Sequence, residues 1–386
     1  MQVRVLQGAA ALRELVPAWD ELASVALEPN PFHESWLLLP ALEHLAAGAL
    51  EVATVWQGER LHAVFPMARQ ASLRGLPVRT LLPWRHRHSL LSTPIVRAGK
   101  GAADAIGALL DWMGEGPRGA DVLELSHIPA GGAFHAALTE AMAQRGLVAV
   151  ATGSHTRAVL RRAASAEAYL ESALSRDTRK NCAKYEKQLR ERGALAWRSM
   201  QAGDDAGPWI EEFLALEGSG WKGRAGSALA SCQANARFAR EALAAAAARG
   251  RLRVSGIDFD GRPIARLAIF TAAGGSIAWK TAYDEAFKRY APGILVEVHN
   301  IRDFHARADL DWMDSYTAAG NSVTDRLWRD RLVMLAFAVG LSGRGRLACA
   351  ALPLLAVGKR AAGRLRSAVA ALGRWRPQPR PRSSPA

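Results

Sequence analysis

A lysine, two carboxylates, two further cations and a Pro-Gly pair crowd into one run, Trp279-Lys280-Thr281-Ala282-Tyr283-Asp284-Glu285-Ala286-Phe287-Lys288-Arg289-Tyr290-Ala291-Pro292-Gly293. Its apolar start reads as the end of a strand, and Pro292 sits where proline opens a helix. The first backbone N–H groups of that helix, those of Gly293, Ile294 and Leu295, have no intrahelical acceptor. With Lys288 and Arg289 just upstream they suit a phosphate or pyrophosphate; a solvated strand-to-helix connection fits the same spacing. Alternation along the strand predicts that Lys280 projects from the face opposite to Trp279 and Thr281. Among Ile277, Ala278, Trp279 and Ala282 its ammonium needs a partner. It either holds a phosphate or an oxyanion, or pairs with Glu217 or Asp314. Asp284 and Glu285 follow the strand end, where a carboxylate accepts a proton, binds an ammonium group or simply caps a turn.

A second group, Glu217, Trp221 and Lys222, lies in a loop punctuated by Gly218, Gly220, Gly223 and Gly226. Glycines let backbone approach a ligand closely, and Trp221 either walls an acceptor pocket or belongs to the core. Asp314-Ser315-Tyr316 and Asn321 follow another strand candidate and are expected in the same cleft. His86 and His88, in Trp84-Arg85-His86-Arg87-His88, read as a solvated basic loop. There is no Gly-x-Ser-x-Gly elbow and no Walker loop, which argues against hydrolase and NTPase chemistry.

The elements that position these groups alternate along the chain. Strand candidates at Val3–Leu6, Leu50–Trp56, Leu61–Ala68, Val78–Leu82, Val122–Leu125 and Leu147–Ala151 are interleaved with helical patterns at Ala9–Leu22, Phe32–Leu45, Ala102–Met113 and Ala133–Arg145. The second half repeats this grammar. A strand at Arg157–Leu160 precedes one long basic helix, Ala166–Glu191. Strands at Arg251–Phe259, Pro263–Thr271 and Ser276–Tyr283 follow, joined at Asp260-Gly261 and Gly274-Gly275, both hairpin signals. A helix from Pro292 to His305, a strand at Asp311–Tyr316, a short helix at Val323–Arg329 and a strand at Leu332–Val339 complete it. The pattern predicts an α/β (α+β) protein with a mixed sheet flanked by helices in each half. The halves are expected to meet near Gly153-Ser154-His155, giving domains at 1–155 and 156–340 with a tail at 341–386.

The chain has 386 residues, 49% of them hydrophobic and 22% charged, which excludes wholesale disorder. No stretch of 18 uninterrupted apolar residues is present, and Met1-Gln2-Val3-Arg4-Val5 lacks the apolar core of a secretory signal, so the expected compartment is the cytoplasm. Three scattered cysteines give neither a disulfide framework nor a zinc pattern, and no metal is expected. Net charge is +14, but ten basic and no acidic residues fall between Leu341 and Ala386, leaving +4 for the rest. The body therefore shows no nucleic-acid footprint. The tail alternates apolar blocks, Leu347–Val357 and Ala368–Leu372, with arginines. That pattern suits short helices lying in a membrane interface or, toward its proline-rich end, a disordered segment.

The run ending at Pro292-Gly293 resembles the signature of CelD-like (BioF-like) acetyltransferases, a branch of the GNAT superfamily related to the FemABX aminoacyltransferases. Leu216-Glu217-Gly218-Ser219-Gly220-Trp221-Lys222-Gly223-Arg224-Ala225-Gly226-Ser227-Ala228-Leu229, Asp260-Gly261-Arg262-Pro263-Ile264-Ala265 and Leu327-Trp328-Arg329-x-Arg331 are similar to its other blocks, in the same order. Trp19-Asp20-Glu21-Leu22 and Pro31-Phe32-His33-Glu34-Ser35-Trp36-Leu37 are similar to its N-terminal ones, so the resemblance spans roughly residues 1–340. It implies tandem GNAT-like domains, each with a mostly antiparallel sheet, and an N- or O-acyltransferase using acetyl-CoA or another acyl-CoA as donor. The acceptor would be an amine or hydroxyl, on a small molecule or a glycan- or lipid-linked group of polysaccharide or cell-envelope biosynthesis. Lys280, Asp284 and Glu285 would be catalytic, and Lys288, Arg289, Gly293 and Ile294 would hold the donor. Glu217, Trp221, Lys222, Tyr283, Tyr316 and Asn321 would hold the acceptor. Only Gly293 remains of the usual GNAT phosphate loop, so an aminoacyl-tRNA donor stays open, as does a catalytically silent scaffold; nucleic acid enters only as that tRNA. Peripheral contact with the inner membrane face would run through 341–386.

Overall fold

A computed structural model describes residues 1–46, 50–116, 119–318, 320 and 323–355. Its strands are β1 (Gln2–Leu6), β2 (Glu51–Gln57), β3 (Arg60–Gln70), β4 (Thr80–Pro83), β5 (Ile95–Val96), β6 (Val122–Pro129), β7 (Ala149–Arg161), β8 (Leu195–Ser199), β9 (Leu252–Phe259), β10 (Arg262–Ala272), β11 (Gly275–Tyr283), β12 (Trp312–Asp314) and β13 (Asp330–Gly340). Among the described residues they form one 13-stranded sheet, ordered β1-β2-β3-β4-β6-β13-β7-β12-β11-β10-β9-β8, with β5 on β3. Pairing is antiparallel except for β4–β6 and β11–β12, so the expected mixed, mostly antiparallel sheet with flanking helices is what forms. The hairpin signals act as predicted: Asp260 (φ 48°) and Gly261 (φ 75°) both take the positive φ that a tight β9–β10 turn demands.

The halves are knitted together. β13, the last strand, pairs with β6 on one side and β7 on the other, so each half completes the other's sheet. β7 runs unbroken through Gly153-Ser154-His155, where two separate strands are expected from the sequence. Pairing with β13, from Ala149 opposite Val339 to Val159 opposite Asp330, holds that stretch extended.

Two further readings are corrected. The single helix Ala166–Glu191 is two, Ala166–Ala173 and Arg176–Arg190, because the Ser175 hydroxyl accepts from the Thr178 N–H (3.2 Å) and starts a new helix. Arg176, Arg179, Lys180, Lys184, Lys187 and Arg190 all ride on the second. The stretch expected as a tail begins as a packed helix over 343–355. Its Ala348, Cys349 and Leu352 bury against Leu73, Val78, Val122 and Ala338, because apolar residues recur there at helical spacing beside an uncovered sheet face. Residues 356–386 lie outside the described residues, as does Asn321.

Candidate functional site

Where β11 meets β12 the sheet forks. The two strands pair in parallel over only three rungs, Gly275–Trp312, Ser276–Met313 and Ile277–Asp314. Past that point Ala278–Thr281 and Ser315–Thr317 diverge around a cavity of about 280 Å³. Trp221, Lys222, Lys280, Tyr283 and Gly293 line it, with Thr281, Glu297, Ser315, Thr317 and Thr324. The fork thus gathers six residues singled out in the sequence, Ser315 among them, and adds one carboxylate that was not.

The other edge of β11 stays paired with β10, but the register slips: Ala268 faces Lys280 while Ile269 faces Ala278. Trp279 is the extra residue of a β-bulge. The bulge overturns the expectation that Trp279 and Lys280 occupy opposite faces. The Trp279 ring packs on Phe270 (5.1 Å between centroids), and Lys280 Nζ reaches Glu217 Oε1 (3.3 Å) on the same side. Thr281 points the other way, to Glu297 Oε1 (3.3 Å).

Glu217, at the end of helix Ala206–Ser219, is buried and shared. Its Oε1 accepts from Lys280 Nζ and Lys222 Nζ, both at 3.3 Å, and its Oε2 from the Leu229 N–H (2.8 Å). Burial pushes its pKa up, but the two ammonium groups and the Leu229 amide outweigh it, and the carboxyl sits below its ordinary value. Burial draws the Lys280 pKa down, and Lys222 adds repulsion that Glu217 only partly offsets. Two ammonium groups share one carboxylate, so the cavity keeps a net positive charge as long as Glu297 holds its proton. Lys222 is further fixed by the Thr281 carbonyl (3.0 Å).

Glu297 is the opposite case. Helix Pro292–Ala306 carries it into the cavity wall, 2% exposed. Among the described residues its oxygens accept only from neutral groups, Thr281 Oγ1 and Asn300 Nδ2, each at 3.3 Å. Burial raises its pKa to about 7 against those two hydrogen bonds. A carboxylate with that pKa is matched to taking a proton near neutrality. The sequence signal was slight: one charge inside the apolar run Ile294-Leu295-Val296-Glu297-Val298.

The remaining candidates have other duties. Asp284 Oδ1 accepts from the Ala286 N–H (2.9 Å), capping the turn Glu285–Tyr290. Glu285 accepts from the Trp221 N–H (2.7 Å) and from Arg224 (2.6 Å), the latter pair chiefly holding its carboxyl low. Lys288 and Arg289 are exposed on that turn, outside the cavity lining, with the Arg289 guanidinium 4.6 Å from the Tyr290 ring centre. At the helix start the N–H groups of Ile294 and Leu295 both donate to the Ala291 carbonyl (2.9 and 3.1 Å). Gly293 is left as the open donor there, and a Cβ on it would stand 3.3 Å from the Tyr283 ring. Tyr316 is buried and faces away from the cavity. Its ring stacks on Phe32 (4.3 Å, 7°) and its hydroxyl accepts from the Leu90 N–H, while burial drives the phenol pKa up.

His86 and His88 are not solvated, contrary to the sequence reading. Their loop inserts under helix Gln233–Ala248, both rings contact Phe238, and the His88 carbonyl accepts from Trp279 Nε1 (3.3 Å). Burial lowers their pKa values to about 3 and about 4, so both are neutral. The first half thereby roofs the bulge of the second.

Residues 176–321 match the family model described as an acetyltransferase (GNAT) domain. No curated protein matches the chain. Among solved structures, FemX aligns over 88% of this chain and 97% of its own at 8% identity, TM-score 0.54. The DUF2156 domain of an Agrobacterium fabrum protein assigned as a lysylphosphatidylglycerol synthetase aligns over 88% and 95% at 11% identity, TM-score 0.54. A conserved protein of unknown function from Bacteroides thetaiotaomicron aligns over 84% and 97% at 8% identity, TM-score 0.50. At such identities the likeness is one of fold, and it extends across both halves.

The raised Glu297 pKa has a sign that melting experiments read. The folded protein keeps this proton up to about 7, whereas an unfolded chain releases it near 4.5. The proton therefore contributes stability that is fully present below 4.5 and is lost as pH rises toward 7. Glu297→Gln removes that loss, so the variant should gain melting temperature relative to the parent between pH 4.5 and 7. A constant difference across that window would show that Glu297 does not hold a raised pKa.

Proposed function

We propose that the acetyltransferase (GNAT) domain, to which residues 176–321 belong, transfers an acyl group from acyl-CoA to an amine or hydroxyl at the fork between β11 and β12. The enzyme is an acyltransferase; the donor, the acceptor and the residue roles are our reading. The observation that carries it is the fork itself, a gap in the sheet that holds a raised-pKa carboxylate and two ammonium groups in one cavity. Among the described residues β11 lacks a parallel partner past Ile277–Asp314, and an extended amide-bearing arm such as that of coenzyme A can add there as a strand. The Glu297 carboxylate takes the proton from the acceptor N–H or O–H. The freed lone pair forms a bond to the acyl carbonyl carbon, and the resulting oxyanion is met by the positive charge of Lys280 and Lys222. Collapse breaks the carbon–sulfur bond, and the same charge favours the departing thiolate. Gly293, whose N–H is open where that of Ile294 is taken by the Ala291 carbonyl, is the backbone group for the donor phosphates, with Lys288 and Arg289 on the turn before it. Trp221 and Tyr283 are the walls for the acceptor.

A second reading, transfer from aminoacyl-tRNA, is favoured by one feature, the exposed basic helix Arg176–Arg190 packed beside the turn that carries Lys288 and Arg289. The first reading predicts saturable transfer from acyl-CoA, with Glu297→Gln slower by roughly 10²–10⁴-fold and still folded. Lys280→Ala should lose about 10²–10³-fold. Transfer from charged tRNA but not from acyl-CoA would select the second reading, and a Glu297→Gln enzyme at near-parental rate would remove Glu297 from the mechanism.

Among the described residues no helix is long and apolar enough to cross a membrane. The helix over 343–355 nevertheless leaves Leu347 and Leu354 each 75% exposed on its outer side, ahead of a segment rich in arginine. This supports peripheral contact of residues 341–386 with an anionic membrane surface, at roughly 1 kcal/mol per basic residue near the surface. The double change Leu347→Ser/Leu354→Ser should reduce co-sedimentation with anionic vesicles while the buried face keeps the helix docked. Unchanged sedimentation would remove these leucines from the contact.

A further inference from the structure

A second cavity, about 260 Å³, opens where the two halves meet. That is just under the roughly 300 Å³ at which small-molecule sites begin. Leu91 comes from the first half's inserted loop, and Ile277, Trp312 and Leu332 come from β11, β12 and β13. The wall is mostly apolar, and three charged residues break it: Glu28, Asp314 and Arg161.

Both carboxylates are already engaged. Glu28 accepts from the Phe134 N–H (3.0 Å) at the start of helix Ala133–Ala143. Asp314 pairs with buried Arg157 and accepts from the Tyr316 N–H (2.9 Å). Arg161, opposite Trp312 in the β7–β12 ladder, is exposed and has no hydrogen-bond or ion-pair partner among the described residues. An apolar hollow whose one uncommitted charge is a guanidinium favours a ligand with an apolar body and an anionic substituent.

The position of this hollow gives it a use. Ile277 and Asp314, the last paired rung of β11 and β12, line it, and the residues next after them, Ala278 and Ser315, line the fork cavity. Arg161 stands opposite Trp312, two rungs from the fork, so a molecule with its anionic end there would extend its apolar body along Ile277 and Asp314 toward the place of transfer. We propose that the junction cavity is the acceptor subsite and takes an apolar group bearing a carboxylate, phosphate or sulfate. The binding claim stands on geometry alone, whereas its role as acceptor subsite rests on the acyl-transfer reading above.

The test is titration of the full-length protein with decanoate, decanol and decylamine below their micellar concentrations, read by tryptophan fluorescence through Trp312 and by melting temperature. Decanoate should bind saturably and at least tenfold tighter than decylamine. Arg161→Ala should remove that preference, Arg161→Lys should keep most of it, and Leu332→Trp, which fills the hollow, should abolish decanoate binding. Equal affinity for the three compounds, or decanoate binding untouched by both Arg161→Ala and Leu332→Trp, would overturn the proposal. Tighter decylamine binding would overturn it too, by showing that Glu28 or Asp314 rules the site. The two readings fail separately: Glu297→Gln should keep decanoate binding whatever becomes of transfer, and a failed transfer assay leaves the titration standing.

Discussion

The candidate site depends on strand pairing that stops after the Ile277–Asp314 rung. Two adjacent parallel strands ordinarily continue to pair, since unpaired backbone groups in an interior are costly. Here the chain leaving β12 is drawn off toward the first half. Asp314 is bound by Arg157, fully buried beside it. The next turn passes through Tyr316 in the left-handed region (φ 53°), whose ring stacks on Phe32 and whose hydroxyl meets Leu90. Arg157 closes the loop by donating to the Leu90 carbonyl (2.8 Å). Removing one partner of such a buried pair typically costs about 3–5 kcal/mol, so the fork is held open by strong local contacts rather than by loop slack. The first half is thus part of the construction of the site, through Phe32, Leu90 and the roof at His86 and His88.

Inside the fork, two buried carboxylates are driven to opposite protonation behaviour by their surroundings. Glu217 has two ammonium groups and a backbone amide and stays ionised, fixing Lys280 and Lys222 where they face the cavity. Glu297 has a hydroxyl and a carboxamide and holds its proton to about 7. Environments that separate the pKa values of two acids in this way divide their roles: one organises charge, and the other is the group we propose moves a proton. The bulge at Trp279 makes the division workable. It places Lys280 on the side of Glu217 while Thr281 keeps contact with Glu297.

What was legible in the sequence follows from the range of the interactions involved. The β9–β10 turn at Asp260-Gly261 and the helix start at Pro292 are local and were readable. Glu217, Trp221, Lys222, Lys280, Tyr283 and Gly293 were picked out by residue type and by family resemblance, and the fold gathers all but Glu217 into the cavity lining, with Glu217 just behind. The bulge was invisible because no glycine or proline marks it. It arises from the register with β10, so alternation put Lys280 on the wrong side of Trp279. Glu297 was hidden for the converse reason: one charge among Ile294, Leu295, Val296 and Val298 reads as an imperfection of a core helix until the neighbouring strand is seen. Burial of His86 and His88 depends on Phe238, far along the chain, and the place of β13 between β6 and β7 joins segments separated by about half of the chain. No local pattern encodes such contacts.

The central claim is that the unpaired edge of β11 at the fork receives the acyl donor. Amide hydrogen exchange over Ala278–Tyr283, followed with and without acyl-CoA, tests it directly. Donor binding should slow exchange in this segment and around Gly293, because an added strand and a bound phosphate both take up open N–H groups. Protection confined to other segments, with Ala278–Tyr283 exchanging as in the free protein, would contradict it.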